Sequence, residues 1–486
     1  MESKRQHMAE PINEKPEILA HTEDKSELGD DKHAASADYT GAERKTDPAE
    51  IALVRKIDWR LMPILCVMYF LNYVDRNAIA QARLNGLEDD LGMSGVEFNT
   101  CVSILFVGYV LMQIPSNMLI TRIRPGIYMS SWMFVWAIVS ACTALVQNFG
   151  GLVACRFFLG ITEAPFYPGA TYMLSIFYTR KEVATRIALL YCAQILATGF
   201  SGLIAAAVFE MDGLNGLAGW RWLFIIEGAA TALVAIIGFF MLPNTPLTTR
   251  WLTPPERELA HARMERDRVG DSMEPVSMME GLRQACRDKR TWLFCLMQNF
   301  HLSACSFNSF FPTVVKTLGF STITLVLTCP PFLLAGAAGI ATGWSSGRMH
   351  ERTWHITAGL LVAVVGFVIA ASTLNTAGRY VACFIFPMGA YSVNSVIIGW
   401  ASSTLSQKEK KAVVLAMTNV GGQIGYIYGA YLWPDSDEPR YGIGFGASAG
   451  FAMLSIACAW VIRMMLIKEN QRLKASTNER INLYGY

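Results

Sequence analysis

The sequence predicts an all-α polytopic membrane protein: twelve transmembrane helices in two six-helix, pseudo-symmetric bundles, both termini cytoplasmic. Three observations carry that prediction. Of the 486 residues, 52% are hydrophobic and only 16% are charged, with a mean hydropathy of +0.31; soluble chains carry about 25% charged residues. The apolar residues gather into runs of about 20, the length a helix needs to cross the hydrocarbon core. Those runs fall six and six about a charged central segment, and basic residues recur in every second gap.

Residues 1–54 are polar, charged and poor in aromatics (Glu14-Lys-Pro-Glu17, Glu27-Leu-Gly-Asp-Asp-Lys32). Such a segment cannot bury enough surface to fold alone and reads as a disordered cytoplasmic tail. It holds no apolar stretch with a cleavage site, so it is not a signal peptide. An N-terminal bundle over 55–241 has spans near 60–81, 97–119, 127–146, 151–176, 185–208 and 220–241. A cytoplasmic central loop, 242–290, follows. The C-terminal bundle, 291–466, has spans near 291–312, 321–343, 354–373, 379–401, 411–433 and 441–466, and 467–486 is a cytoplasmic tail.

Orientation follows from the bases. Arg55, Lys56 and Arg60 precede the first span; Arg122 and Arg124 follow the second; Arg180, Lys181 and Arg186 follow the fourth. A dense set from Arg250 to Arg290 follows the sixth, Arg348 and Arg352 the eighth, Lys408, Lys410 and Lys411 the tenth, and Lys468, Arg472 and Lys474 the last. The other gaps hold only scattered bases (Arg83, Lys316, Arg379, Arg440), which places both termini and the central loop inside. The central run from Pro254 to Arg268 reads as a charged, solvent-laced helix, a connector at the inner surface. The turns Thr121-Arg-Ile-Arg-Pro125 and Gly343-Trp-Ser-Ser-Gly-Arg348 occupy equivalent gaps, as two parallel repeats with a substrate site between them at mid-membrane would require.

Ionisable residues at membrane depth are costly and by default mark ion, proton or substrate pathways. The fourth span holds Arg156-Phe-Phe-Leu-Gly160-Ile-Thr-Glu163-Ala-Pro165-Phe-Tyr-Pro168-Gly169. A spacing of seven places Arg156 and Glu163 on nearly one helix face, about 10 Å apart along the axis. Gly160 between them lets a helix or ligand approach closely. Glu163 can change protonation state as a cavity opens to each side; the structural alternative is a permanent Arg156–Glu163 ion pair. The first span ends Tyr69-Phe-Leu-Asn72-Tyr73-Val-Asp75-Arg76-Asn77. Tyr69, Asn72, Tyr73 and Arg76 share a face, and Asp75 points about 100° away from Arg76. Tyr73 and Arg76 read as anion contacts and Asp75 as a proton carrier or relay, against the alternative of an Asp–Arg structural network. Glu227 of the sixth span reads as a structural partner, with Arg221 in an aromatic belt at the outer interface. Gln194, Gln298, Asn299, His301, Asn308, Asn419, Gln423 and Tyr426 supply uncharged hydrogen-bonding groups. His301 reads as a packing residue. Ionisable groups thus cluster in the first half, which favours proton coupling there and reading of substrate shape in the second.

The cysteines, all but Cys286 inside apolar spans, lack metal-ligand spacing and read as packing residues. No P-loop, HExxH or GxSxG pattern occurs in a credible context, which argues against an ATP-driven pump, a membrane hydrolase, and any cofactor or metal.

Asn72-Tyr-Val-Asp75-Arg76, Arg156-x3-Gly160-x2-Glu163-Ala-x3-Pro168-Gly169, Gly219-Trp-Arg-Trp-Leu-Phe-Ile-Ile-Glu-Gly228 and Leu242-Pro-Asn-Thr-Pro246-x4-Trp251 are similar to the major facilitator superfamily. More closely, the chain resembles the anion:cation symporter family in its fungal allantoate, nicotinate and pantothenate permease branch, over about residues 55–467. The resemblance implies the major facilitator fold and proton-driven uptake of a small organic anion by alternating access. In relatives such as bacterial galactonate and vesicular glutamate transporters, the residues matching Asp75, Arg76, Arg156 and Glu163 are central. Tyr73 matches too, and Gln194 and Asn419 match more loosely as substrate contacts. Two departures stand out. Gly347 replaces the acid of the turn after the eighth span, which bears on the usual inner-gate salt bridge. The fifth span lacks the Gly-Pro pattern of drug:proton antiporters, which counts against efflux. The expected partners are the anion, protons and the bilayer, with no nucleic acid, for a monomer in the plasma membrane or, alternatively, the vacuolar membrane. An exporter of an organic acid or secondary metabolite is the alternative carrier reading. A non-transporting nutrient sensor is the alternative from another class.

Overall fold

The structure, a computed structural model, describes residues 47–120, 122–268, 278–319, 324–349, 351–404, 408–476 and 485–486. The first half contains α1 (Pro48–Leu84), α2 (Gly95–Ile120), α3 (Pro125–Cys142), α4 (Phe149–Glu163), α5 (Phe166–Phe177), α6 (Arg180–Phe209) and α7 (Gly219–Met241). Two helices, α8 (Pro254–Arg268) and α9 (Met278–Arg287), occupy the central segment. The second half contains α10 (Lys289–Ala304), α11 (Cys329–Met349), α12 (Thr353–Ser372), α13 (Thr376–Ser392), α14 (Asn394–Ser403), α15 (Lys408–Gly429) and α16 (Gly442–Ser476).

Nine helical stretches among the described residues are long and apolar enough to cross a bilayer. The helices at the expected first, seventh and eleventh spans, α1, α10 and α15, do not meet that combination. Each carries polar groups part-way along: Asp75 and Arg76 in α1, Gln298 and Asn299 in α10, Asn419 and Gln423 in α15. Helices that line a polar site lose apolarity for that reason. The outer surface is apolar instead, with Phe240, Leu145, Ile340 and Leu111 exposed, as lipid contact allows and water does not.

Several boundaries differ from the sequence reading. The tail expected over 1–54 lies outside the described residues up to position 46, but 48–54 are already helical. Asp47 accepts a hydrogen bond from Ala49 N at 2.9 Å, Pro48 stands in the first turn, and Glu50 complements the helix dipole. At the other end α16 continues to Ser476, past the expected boundary at 466, while 477–484 lie outside the described residues. The fourth span is two helices. Pro165 has no N–H to continue α4, and α5 restarts with Gly169 N donating to Pro165 O at 3.1 Å.

The two halves repeat one packing plan. In the first, α1 packs on α6 and α7, α3 on α7, and α2 on α4; in the second, α10 packs on α15 and α16, α12 on α16, and α11 on α13. Each is the same pairing displaced by six spans. Close crossings in both halves depend on glycine. A Cβ on Gly160 would lie 2.0 Å from Leu105 O, and one on Gly389 would lie 2.4 Å from Ala363 N.

Helix α8 keeps an exposed face with Glu258, His261 and Arg266, but its other face is docked. Arg263, expected to be in water, is buried and ion-paired with Glu182 of α6 and, at 3.4 Å, with Glu50 of α1. Lys56 pairs with Glu256 at 2.7 Å, and Arg186 with Asp58 at 2.6 Å. The hydrogen bond from the Lys56 ammonium, helped by the backbone N–H of Thr253, holds the Glu256 carboxyl below the usual carboxylate range. Helix α8 therefore rests against α1 and α5. At the matching end of the second half, the turn lacking an acid at Gly347 still forms an ion pair. Glu351 supplies the acid and Arg463 of α16 the base, its guanidinium covered by Trp460 and Tyr486.

Candidate functional site

The charges of α1 and α4 meet where α4 ends, Glu163 being its last residue. The ion pair is not Arg156–Glu163 within one helix but Arg76–Glu163 across two. Glu163 Oε2 accepts from Arg76 Nη2 at 2.7 Å and from Nε at 3.0 Å, a two-pronged contact on one oxygen. Side chains on one helix face seven residues apart stand two turns apart. The crossing at Gly160 brings α2 close instead, and Glu163 reaches across from the end of α4 to Arg76 on α1. The Arg76 guanidinium lies 5.0 Å from the centroid of the Tyr73 ring and 5.0 Å from that of Tyr109, with Phe106 at 5.9 Å.

Arg156 is left with one contact, from Nη2 to the Arg76 carbonyl oxygen at 3.4 Å. It is 2% exposed, and its Nε and Nη1 have no hydrogen-bond partner among the described residues. A guanidinium has five donors, and leaving most of them unsatisfied in a buried place is costly. The arrangement suits an acceptor-rich anion.

Asp75 faces away from Arg76, as the 100° step requires. It accepts from Trp136 Nε1 at 2.9 Å, Thr231 Oγ1 at 3.1 Å and Ser140 Oγ at 3.2 Å. The Asp–Arg structural network within the first span therefore does not form. Glu227 of α7, expected to have a structural partner, has no basic one among the described residues. It lies within electrostatic reach of Asp75, while Arg221 binds the Ala144 carbonyl at 2.5 Å and packs on Trp220. Two buried acids thus neighbour each other behind the Arg76–Glu163 pair.

Of the looser candidates, Gln194 accepts from Tyr69 OH at 3.3 Å, on the same α1 face as Tyr73 and Arg76. Asn419 accepts from Gln423 of its own helix at 3.4 Å and shows no contact with the charged cluster. His301 is buried, its Nε2 4.0 Å from the Cys305 sulfur one turn on, as a packing residue would be. The sequence reading passed over Tyr109, Tyr167, Tyr191 and Tyr391. Tyrosines in spans belong at the membrane interfaces, so their mid-span positions were the available signal.

At the end expected to face outward, the halves are joined. Arg83 pairs with Asp435 at 2.7 Å, Asn308 donates to Asn77 at 3.1 Å, Ser103 donates to Ile427 O at 2.9 Å, and Phe106 stacks on Tyr426 at 4.7 Å. A Cβ on Gly95 would collide with the Asp435 carboxylate at 2.0 Å, so that acid sits directly on the start of α2.

Residues 65–430 match the sequence pattern of the Major Facilitator Superfamily. Similar proteins include the major facilitator-type transporter hxnP of Emericella nidulans, 33% identical over 81% of this chain and 81% of that one. The MFS-type transporter cnsO of Penicillium expansum is 32% identical over 89% and 86%. A putative tartrate transporter of Agrobacterium vitis is 31% identical over 79% and 84%. Among solved structures, an inward-facing, unoccupied bacterial homologue of the human lysosomal transporter Spinster superposes with a TM-score of 0.67 at 17% identity, covering 87% of this chain and 99% of that one. That last likeness speaks to the fold.

Proposed function

The chain belongs to the major facilitator superfamily and is a multi-pass membrane transporter, and from that premise we propose that it imports a small organic anion together with protons. Arg156 carries the reading: a buried guanidinium with two nitrogens unpartnered, one helix contact away from Arg76. Anion and proton are coupled through Glu163. While ionised, Glu163 neutralises Arg76 and leaves Arg156 as the cluster's one unbalanced cation. A proton on Glu163 releases Arg76, so both guanidiniums can face the anion. Proton binding then strengthens anion binding, and linkage makes the reverse equally true. Asp75, with Glu227 beside it, would pass protons on the side away from the anion. Tyr73 and Gln194 would complete the contacts on the first half, and Asn419 would join from α15 when the bundles rearrange. The branch is that of the fungal allantoate, nicotinate and pantothenate permeases within the anion:cation symporters, in the plasma membrane, acting as a monomer with twelve spans.

The test is uptake into proteoliposomes under an imposed proton gradient. Accumulation should rise as the external pH falls and collapse with an uncoupler. Glu163→Gln should keep substrate exchange but lose accumulation. Uptake indifferent to pH and uncoupler would refute symport, and a Glu163→Gln protein that still accumulates substrate would remove Glu163 from the coupling.

A further inference from the structure

The two halves protect the start of equivalent helices, α3 and α12, in different ways. A helix start leaves backbone N–H groups that its own turns cannot satisfy. At α3 the chain leaving α7 supplies the partner at once. Gly126 N donates to Asn244 Oδ1 at 3.2 Å, and a Cβ on Gly126 would lie 2.9 Å from Leu242 O and 3.1 Å from Pro243 O. In the second half the helix equivalent to α7 is α16, which does not stop there but runs 35 residues to Ser476 and carries the chain away. The partner comes back from further along. Arg352 N, at the start of α12, donates to Tyr486 O at 3.3 Å. One residue earlier, Gly485 O accepts from Trp400 Nε1 of α14 at 3.0 Å. Trp400 is fully buried, and among the described residues its indole N–H has no other partner; a buried donor left unpaired is costly. The Arg463 guanidinium of α16 lies 5.0 Å from the centroid of the Tyr486 ring, which also packs on the apolar cluster around Phe294 and Trp400.

We propose that Gly485-Tyr486 is a releasable strap. Seated, it ties the start of α12 to α14 and α16, so that this end of the second half moves as one body. Released, it uncovers the Arg352 amide, the Trp400 indole N–H and one face of Arg463. Its attachment suits release: two hydrogen bonds and one ring hold it, Gly485 is exposed, and Tyr486 is only half-buried. The turn Leu242-Pro243-Asn244 does the same work for α3 but follows directly on α7, so it has no comparable freedom to leave. Every strap contact named lies within the second half. The second half therefore has an end that can loosen where the first half has a fixed one.

Hydrogen exchange at the Arg352 amide of the purified full-length protein, read by mass spectrometry, reports the seat directly. The Gly126 amide of the first half is the internal control. Tyr486→Ala keeps the backbone acceptor but removes the ring, so Arg352 should exchange about five- to tenfold faster, the worth of one cation–π contact at a partly covered site. Tyr486→Phe keeps the ring and should leave the rate unchanged. Trp400→Phe removes the indole donor and should speed Arg352 exchange too. Combined with Tyr486→Ala it should add little, because both changes release the same strap. If Trp400→Phe fails gel filtration, the Tyr486→Ala and Tyr486→Phe pair decides alone, since Tyr486 lies at the surface of the core. Unchanged Arg352 exchange in Tyr486→Ala overturns the strap. So does equal acceleration at Arg352 and Gly126, which would mean general loosening, and so does full additivity of the two substitutions.

Discussion

The two halves of this transporter share a packing plan and differ in chemistry. In the first, Asp75, Arg76, Arg156, Glu163 and Glu227 lie within the bundle. In the second, the described interior groups at equivalent depth include amides and one packing histidine: Gln298, Asn299, His301, Asn419 and Gln423. Arg379 is buried too, but it lies near the outer end of α13, where it donates to Thr317 Oγ1 at 3.1 Å. The difference teaches that backbone packing and site chemistry are set independently. Close helix crossings constrain both halves alike, because two backbones in contact tolerate no side chain. A charge inside a bundle is kept only where something uses it.

The comparison breaks or sharpens with variants taken in pairs. The largest effect should come from glycine. Gly160→Val and Gly389→Val should each abolish recovery of monodisperse protein on gel filtration, with a destabilisation of about 3 kcal/mol or more, since a Cβ at either site meets backbone. A tolerated Gly389→Val would show that only the first half depends on close crossing.

Next comes the asymmetry itself. Arg156→Gln should weaken anion binding by about 10- to 150-fold, the worth of a hydrogen bond to a charged group. Gln298→Ala in the second half should weaken it by less than about tenfold. Equal losses in equilibrium binding would contradict the division of labour between the halves.

A smaller effect is expected at the inner ion pairs. Arg263→Gln removes a buried ion pair with Glu182 and should cost about 3 kcal/mol or less in thermal unfolding, while Arg463→Gln, at a half-buried pair, should cost about 1 kcal/mol. The order of the two melting shifts is the observable.

The smallest is Glu256→Gln, below about 1 kcal/mol, because the Lys56–Glu256 pair is largely open to solvent. Its sign with pH is fixed. The folded carboxyl titrates below its unfolded value, so its stabilisation is present above the unfolded pKa and fades as pH falls through the folded one. Native and Glu256→Gln proteins should therefore melt apart at pH 7 and together in acid beyond that point.

Much of the site could be read from the sequence because charge in an apolar run stands out. Asp75, Arg76, Arg156 and Glu163 were visible as exceptions to their surroundings. Their pairing was not, because spacing along one helix says which residues share a face and nothing about which neighbour fills it. Tyr391 and Tyr191 gave a weaker signal: their mid-span positions stood out, but an aromatic among aliphatics does not show what it faces until its neighbours are known. Arg263 was misread because a charged run on a helix usually marks a solvated face, and the carboxylates that take it out of water, Glu182 and Glu50, lie far away in the chain.

The sequence by itself determined the membrane class and the set of charges inside the first half. Those properties are local: each follows from the cost of placing a given side chain or loop in hydrocarbon, which one stretch of chain decides alone. Tertiary structure decided that Glu163 belongs to Arg76, that Arg156 Nε and Nη1 have no partner among the described residues, that Asp75 turns to Trp136, and that tyrosines of both halves stand near Arg76. These depend on which helices cross and at what angle. That is set by glycines and backbone contacts distributed over the whole chain, so no single stretch could have announced it.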